Sequence, residues 1–210
     1  MKKRGRFITL EGPEGSGKST QIRGLASFLK KRGRKVLLTR EPGGPEASER
    51  IRQLLLDPRG TLEPLTELLL YEAARAEHVA RWVEPALKKG VWVLCDRFTD
   101  STIAYQGAAR NLSRETIAAL NRIACQGVSP DLTFVLDIDA RTGLKRAAKA
   151  KGHHDRLEKE NLGFHQRVRR GFLEIAKMDA RRVKVLPPGS VSQTLQALQT
   201  LLLKRFSHEL

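Results

Sequence analysis

Only two cysteines, Cys95 and Cys125, occur in 210 residues, too few for a disulfide scaffold or a cysteine-rich zinc site. Both sit in apolar patterns and are expected as reduced core residues. No apolar run approaches the length that crosses a bilayer, and Met1-Lys2-Lys3-Arg4 is followed by too few apolar residues for a signal peptide. A cytoplasmic protein without a membrane partner is expected. Internal repeats and low-complexity linkers are also missing, so residues 1–210 are expected to form a single domain with a full core. Acidic residues are scarce: 23 Asp and Glu face 39 Lys and Arg, a formal net charge of +16. That balance attracts polyanions without saying which. Its clusters, Lys30-Lys31-Arg32 and Arg181-Arg182 among them, fall at helix ends and turns, where charge is usually solvated surface, and no specific nucleic-acid partner is expected.

Against these absences stands Gly12-Pro13-Glu14-Gly15-Ser16-Gly17-Lys18-Ser19, which fits G-x-x-x-x-G-K-[ST] without a mismatch. Its context fits as well. Phe7 to Leu10 is a short apolar strand, and Lys18 to Lys31 carries Ile22, Leu25, Ala26 and Leu29 at helical spacing. Backbone N–H groups of such a loop point inward at phosphate oxygens, and the helix N-terminus adds a positive field. Lys18 is expected at the β- and γ-phosphates of ATP, Ser19 as a ligand of Mg²⁺, and Thr20 as the end of the cofactor-binding stretch.

Further apolar runs follow at Val36–Arg40, Val91–Cys95, Leu132–Leu136 and Val183–Leu186, separated by helical patterns. The longest pattern, Glu63 to Lys89, predicts one helix with Leu65, Leu68, Leu69, Ala73 and Val79 on its buried face and Gly90 as its stop. Near-continuous apolar strands alternating with helices predict an α/β fold, a five-stranded parallel sheet covered on both faces. Ligands of such sheets bind at the carboxyl ends of the strands. The glycine loop, Arg40 and Asp96-Arg97 are therefore expected around one crevice.

Three segments carry a family resemblance: Leu94 to Gln106 around Asp96-Arg97, then Thr39-Arg40-Glu41-Pro42-Gly43-Gly44, then Leu70-Tyr71-Glu72-Ala73-Ala74-Arg75. With the phosphate loop they closely resemble bacterial thymidylate kinases of the P-loop nucleoside-monophosphate kinase group. The resemblance implies ATP-dependent phosphorylation of dTMP, a mobile lid at about residues 146–160, and a homodimer. It implies that Arg40 and Arg97 hold the acceptor 5′-phosphate, that Tyr71 stacks on thymine and that Arg75 donates to its O4. It further implies that Ser101 and Gln106 contact the base edge, that Tyr105 packs where a ribose 2′-OH would lie, and that Glu14 accepts from the 3′-OH. By themselves the residues leave alternatives open, since Tyr71 also fits a core position and Arg75 a solvated one.

Some relatives carry an arginine directly after the acidic loop residue, where this chain has Gly15. The cation at the transferred phosphate is then expected from the lid, with Arg146 toward ATP and Arg156 as the catalytic side chain. Lysines at Lys149 and Lys151 stand where arginines are common. Asp96 either positions Mg²⁺ through water or only holds Arg97. His153 and His154 diverge as adjacent residues and are not expected to bind metal. A kinase for dUMP, dCMP or AMP is the nearest rival. A nucleic-acid-dependent ATPase is a second, weakened because Phe134-Val135-Leu136-Asp137 is followed by Ile138 rather than glutamate.

Overall fold

The computed structural model describes residues 4–151 and 155–210. Five strands, β1 (Phe7–Glu11), β2 (Val36–Arg40), β3 (Trp92–Asp96), β4 (Leu132–Leu136) and β5 (Val183–Leu186), form one parallel sheet in the order β2-β3-β1-β4-β5. Alternate side chains leave opposite faces of the sheet. Ile8, Leu10, Leu94 and Phe134 pack under helix α1 (Lys18–Lys31) and the C-terminal helix, with Leu25, Leu29, Leu198 and Leu202. Phe7, Val93 and Cys95 meet Val79, Val83, Leu87 and Phe98 on the other side. Helices thus cover both faces, as the strand patterns predict. Cys95 and Cys125 are free and buried.

Register brings the chemistry to one edge. Leu10 pairs with Asp96, and Asp96 with Arg40, so the glycine loop, Arg40 and Arg97 all leave the sheet at its carboxyl end.

On the first crossover, α2 (Glu46–Leu56) precedes α3 (Pro64–His78), which continues through a π-helical turn at Val79–Val83 into α4 (Glu84–Lys88). The predicted single helix thus runs on through a π-helical turn, but its predicted buried face is only partly right. Leu68 and Val79 are fully buried, but Leu65 and Leu69 are 51% and 48% exposed and Ala73 faces outward. The inward face instead carries Glu67, Glu72, Arg75 and His78. These polar groups are buried because they bond to one another and to the neighbouring elements, which offsets desolvation.

After β3 come α5 (Thr99–Thr102) and a π-helical segment, Ile103–Ala109, then α6 (Arg114–Cys125), capped by the Ser113 side chain. Helix α7 (Ala140–Lys151) leads toward the expected lid, and α8 (Leu162–Met178) and α9 (Val191–Arg205) flank β5. The side chain of Lys151, and His153 and His154 entirely, lie outside the described residues.

Candidate active site

The glycine loop runs from the end of β1 into α1. Lys18 is 7% exposed, and its ammonium donates to the carbonyls of Gly12 and Pro13, both at 2.8 Å, and to Ser16 Oγ at 3.3 Å. These are weak neutral partners for a cation, and phosphate oxygens would compete with them. Burial, then the neighbouring Arg97 charge, push the Lys18 amine down to about 8. Ser19 Oγ donates to Asp96 Oδ2 at 3.0 Å, so a hydroxyl and a carboxylate stand together at the mouth of the loop. Those hard oxygen donors suit Mg²⁺, which typically takes one or two protein oxygens beside phosphates and water.

Gly15 has a steric cause. A Cβ there would lie 2.1 Å from the Gly143 carbonyl oxygen and 3.1 Å from the Arg146 Cβ. The base of α7 therefore closes over the loop at the one residue where some relatives have an arginine, and Arg146 takes up that neighbourhood.

Arg97 follows β3 with φ 73°, a left-handed conformation that costs a non-glycine residue about 1–3 kcal/mol. Three contacts hold it there. Its N–H donates to the Leu10 carbonyl at 3.0 Å, the next N–H, of Phe98, donates to Glu11 Oε1 at 2.6 Å, and the Ser101 hydroxyl donates to Glu11 Oε2 at 2.6 Å. Glu11 is fully buried; burial, reinforced by Asp100, pushes its carboxyl up to about 8. The guanidinium of Arg97 reaches back to the Gly12 carbonyl at 3.2 Å and to Glu14 at 2.9 Å, and lies over the Tyr105 ring at 5.0 Å. Tyr105 also donates its hydroxyl to Glu14 at 2.6 Å. Burial opposes ionisation of Glu14, but Arg97, Lys18 and Tyr105 outweigh it and hold the carboxyl below the usual range.

Arg75 is 2% exposed. Its Nε–H donates to Glu41 at 2.8 Å, and Nη1 to Glu72 at 2.5 Å and Asn121 at 2.8 Å. Three of five N–H groups are used, and the two on Nη2 have no protein partner among the described residues.

Glu14 through Thr20, Arg40, Tyr71, Arg75, Asp96, Arg97, Ser101, Tyr105, Gln106 and Arg146 all line one open cavity of about 460 Å³. Gly12 contributes its carbonyl to Lys18 and Arg97, and Pro13 contributes its own to Lys18. Within the cavity Arg40 pairs with Glu49 at 2.9 Å. Ser101 has already committed its hydroxyl to Glu11, and Gln106 donates its amide to Glu67 at 2.8 Å.

Arg156 is placed otherwise than expected. It lies outside the cavity lining, 8% exposed, paired with Glu67 at 2.6 Å and donating to the Leu55 carbonyl at 2.9 Å. Glu67 also receives Arg110 at 3.1 Å. A fully buried carboxylate draws in every reachable cation, and this one fastens the segment after α7 onto α2 and α3.

Sequence reasoning passed over Glu11, Glu41, Glu67, Glu72, Asn121 and Arg52, the last a cavity residue that donates to the Pro42 carbonyl at 2.8 Å. One signal was available: Glu67, Tyr71, Arg75 and His78 recur at helical spacing on α3. The rival ATPase reading gains nothing, because Asp137 after β4 is held by Arg169 at 2.7 and 2.8 Å and Ile138 is buried.

With this geometry in hand, known proteins give a consistent comparison. The thymidylate kinase family model matches residues 10–197. A thymidylate kinase of Geobacter sulfurreducens is 48% identical over 208 residues, covering 96% of this chain and 98% of the relative. One from Trichlorobacter lovleyi is 50% identical over 186 residues, covering 86% and 88%. The crystal structure of thymidylate kinase from Ehrlichia chaffeensis superposes with a TM-score of 0.78 at 37% identity, covering 95% of this chain and 98% of that one. Fold, cavity and relatives agree, and the chain belongs to the thymidylate kinase family.

Proposed function

We propose that the protein transfers the terminal phosphoryl group of ATP to the 5′-phosphate of dTMP, giving dTDP and ADP. The observation that carries this reading is the single cavity that joins a Lys18 phosphate loop to the unpaired Nη2 of Arg75. Thymine O4 accepts hydrogen bonds, whereas cytosine presents an amino donor that would leave Arg75 unsatisfied. Tyr71 supplies the ring face and Tyr105 the wall against a ribose 2′-OH.

The acceptor oxygen is already ionised at neutral pH, so no strong general base is needed. Catalysis is alignment and charge neutralisation. Lys18 exchanges loop carbonyls for the β- and γ-phosphates, and Arg97 and Arg40 take the acceptor phosphate. Ser19 and Asp96 would hold Mg²⁺, which would supply positive charge to offset that of the phosphates. Arg146, on the helix that closes over Gly15, is the lid cation; Arg156 fastens the lid at its far end. The lid remains the segment at about 146–160 of one kinase domain.

A cytoplasmic homodimer belongs to the same proposal. Among the described residues no helix is long and apolar enough to cross a membrane. Leu65 and Leu69 on α3 and Ile123 on the adjoining α6 are 51%, 48% and 71% exposed, apolar side chains on two packed helices that a second copy would cover. Sedimentation equilibrium of Leu69→Glu tests it: a monomer is expected, and an unchanged mass relative to the parent rejects this surface.

The reaction is tested by ADP release from MgATP with dTMP, dUMP, dCMP and AMP. The highest kcat/KM is expected with dTMP. Hydrolysis stimulated by DNA or RNA and not by dTMP would overturn the reading.

A further inference from the structure

His78 is fully buried on α3 and takes no part in the chemistry described above. Its ring bridges two residues of the β2 end: Nδ1 lies 2.8 Å from Glu41 Oε1, and Nε2 lies 2.8 Å from Thr39 Oγ1. Nδ1 thus shares a hydrogen bond with the Glu41 carboxylate, and Nε2 shares one with the Thr39 hydroxyl, which can donate or accept. The other oxygen of Glu41, Oε2, accepts Nε–H of Arg75 at 2.8 Å. A chain of hydrogen bonds therefore runs from strand β2 through His78 and Glu41 to the guanidinium that faces the base.

The ring is also fixed by shape. A Cβ on Gly44 would fall 2.9 Å from His78 Cδ2, and Gly44 has φ +97°, so only glycine lets the Gly43-Gly44 turn close over the imidazole. The Trp82 ring meets it edge-on at 6.2 Å. A guanidinium is a rigid plane, so fixing Nε and Nη1 fixes where the two Nη2 N–H bonds point. Glu41 sets the Nε side of that plane, and His78 sets Glu41.

We propose that His78 and Glu41 are positioning residues for base discrimination, aiming the free Nη2 of Arg75 so that an acceptor at the 4-position of a pyrimidine is taken and an amino group refused. The inference rests on Arg75 reading the base, as set out under the proposed function. It extends specificity to residues that touch no substrate.

The test is the ratio of kcat/KM for dTMP over dCMP, in which the concentration of active enzyme cancels. His78→Leu removes both ring contacts and should lower that ratio about fivefold or more, while His78→Gln, which keeps a donor and an acceptor, should retain most of it. Should His78→Leu fail to fold, Thr39→Val, which frees only Nε2, should lower the ratio about twofold. In an Arg75→Ala background the same substitutions should change nothing further, because their effect passes through Arg75. An unchanged ratio in the folded variants, or an equal fall with and without Arg75, overturns the proposal. If Arg75→Ala alone leaves the ratio unaltered, it is the base-reading role itself that fails, and the positioning role falls with it.

Discussion

The cavity has two ends built on different principles. Around the phosphate loop the groups that matter are main chain and a few terminal side chains: Lys18 rests on the carbonyls of Gly12 and Pro13, and Arg97 on the Gly12 carbonyl and the Glu14 carboxylate. At the Arg75 end, which the proposed function assigns to the base, a guanidinium is bound by two carboxylates and an amide in a buried network that leaves its Nη2 without a protein partner among the described residues. In the proposed reaction the first end exchanges partners. The second is fixed before substrate arrives, which suits discrimination, since a misaligned donor refuses nothing.

Substitutions at the two ends should consequently fail in different ways. Lys18→Ala removes the only cation inside the loop and should lower kcat by about 10³- to 10⁵-fold, as other groups that stabilise transferring phosphates do. Its thermal unfolding midpoint should stay close to the parent's, because the amine bonds only to carbonyls and one hydroxyl. Turnover within tenfold of the parent would abolish the contrast between the ends. Next in size is Glu67→Ala. It leaves the buried Arg156 without its counter-charge, at a cost of about 3–5 kcal/mol, read from the urea midpoint, while Arg110 keeps Glu160 at 2.7 Å. Equal stability would mean that the lid segment is held by something other than this carboxylate.

Arg75→Ala comes third. Its expected signature is a fall of about 5- to 150-fold in the preference for dTMP over dCMP, equivalent to about 1–3 kcal/mol, with the KM for ATP unmoved. A parallel loss for both acceptors would mark Arg75 as a general anchor and dissolve the distinction drawn here.

The same contrast explains what was legible in the sequence. The loop could be read because phosphate binding by backbone demands glycines at set positions, and the strands because two-sided burial leaves continuous apolar runs. The inward face of α3 could not be read by hydrophobicity. Leu65 and Leu69 are exposed, while Glu67, Glu72, Arg75 and His78 occupy the interior, and only their mutual hydrogen bonds make that placement tolerable. The place of Arg156, singled out in the sequence as a lid cation, was hidden for a related reason. Its partner Glu67 is 89 positions away, and no local pattern announces a pairing across that separation. Gly15 shows the converse case: its departure from some relatives was visible at once, but the cause, the Gly143 carbonyl of α7, exists only in the fold.

The smallest effect concerns a proton. Burial and Arg97 depress the Lys18 amine to about 8 in the enzyme without nucleotide. Bringing the β- and γ-phosphates beside it favours the charged form and raises that value in the complex. Binding of MgATP should therefore take up protons where the free amine is partly neutral, about half a proton per site at pH 8 and close to none at pH 6.5. Because the complex prefers protonated Lys18, affinity for MgATP should be full below the free value and decline as pH rises through it. Calorimetric titrations at pH 8 in two buffers of different ionisation enthalpy measure the uptake, and Lys18→Met should abolish it. The base end supplies the control: its network contacts no phosphate, so dTMP binding to Lys18→Met should show the same dependence on the buffer as it does in the parent. Proton uptake that survives in Lys18→Met would place the titrating group elsewhere in the cavity, with Glu11 and its carboxyl raised to about 8 the next to examine.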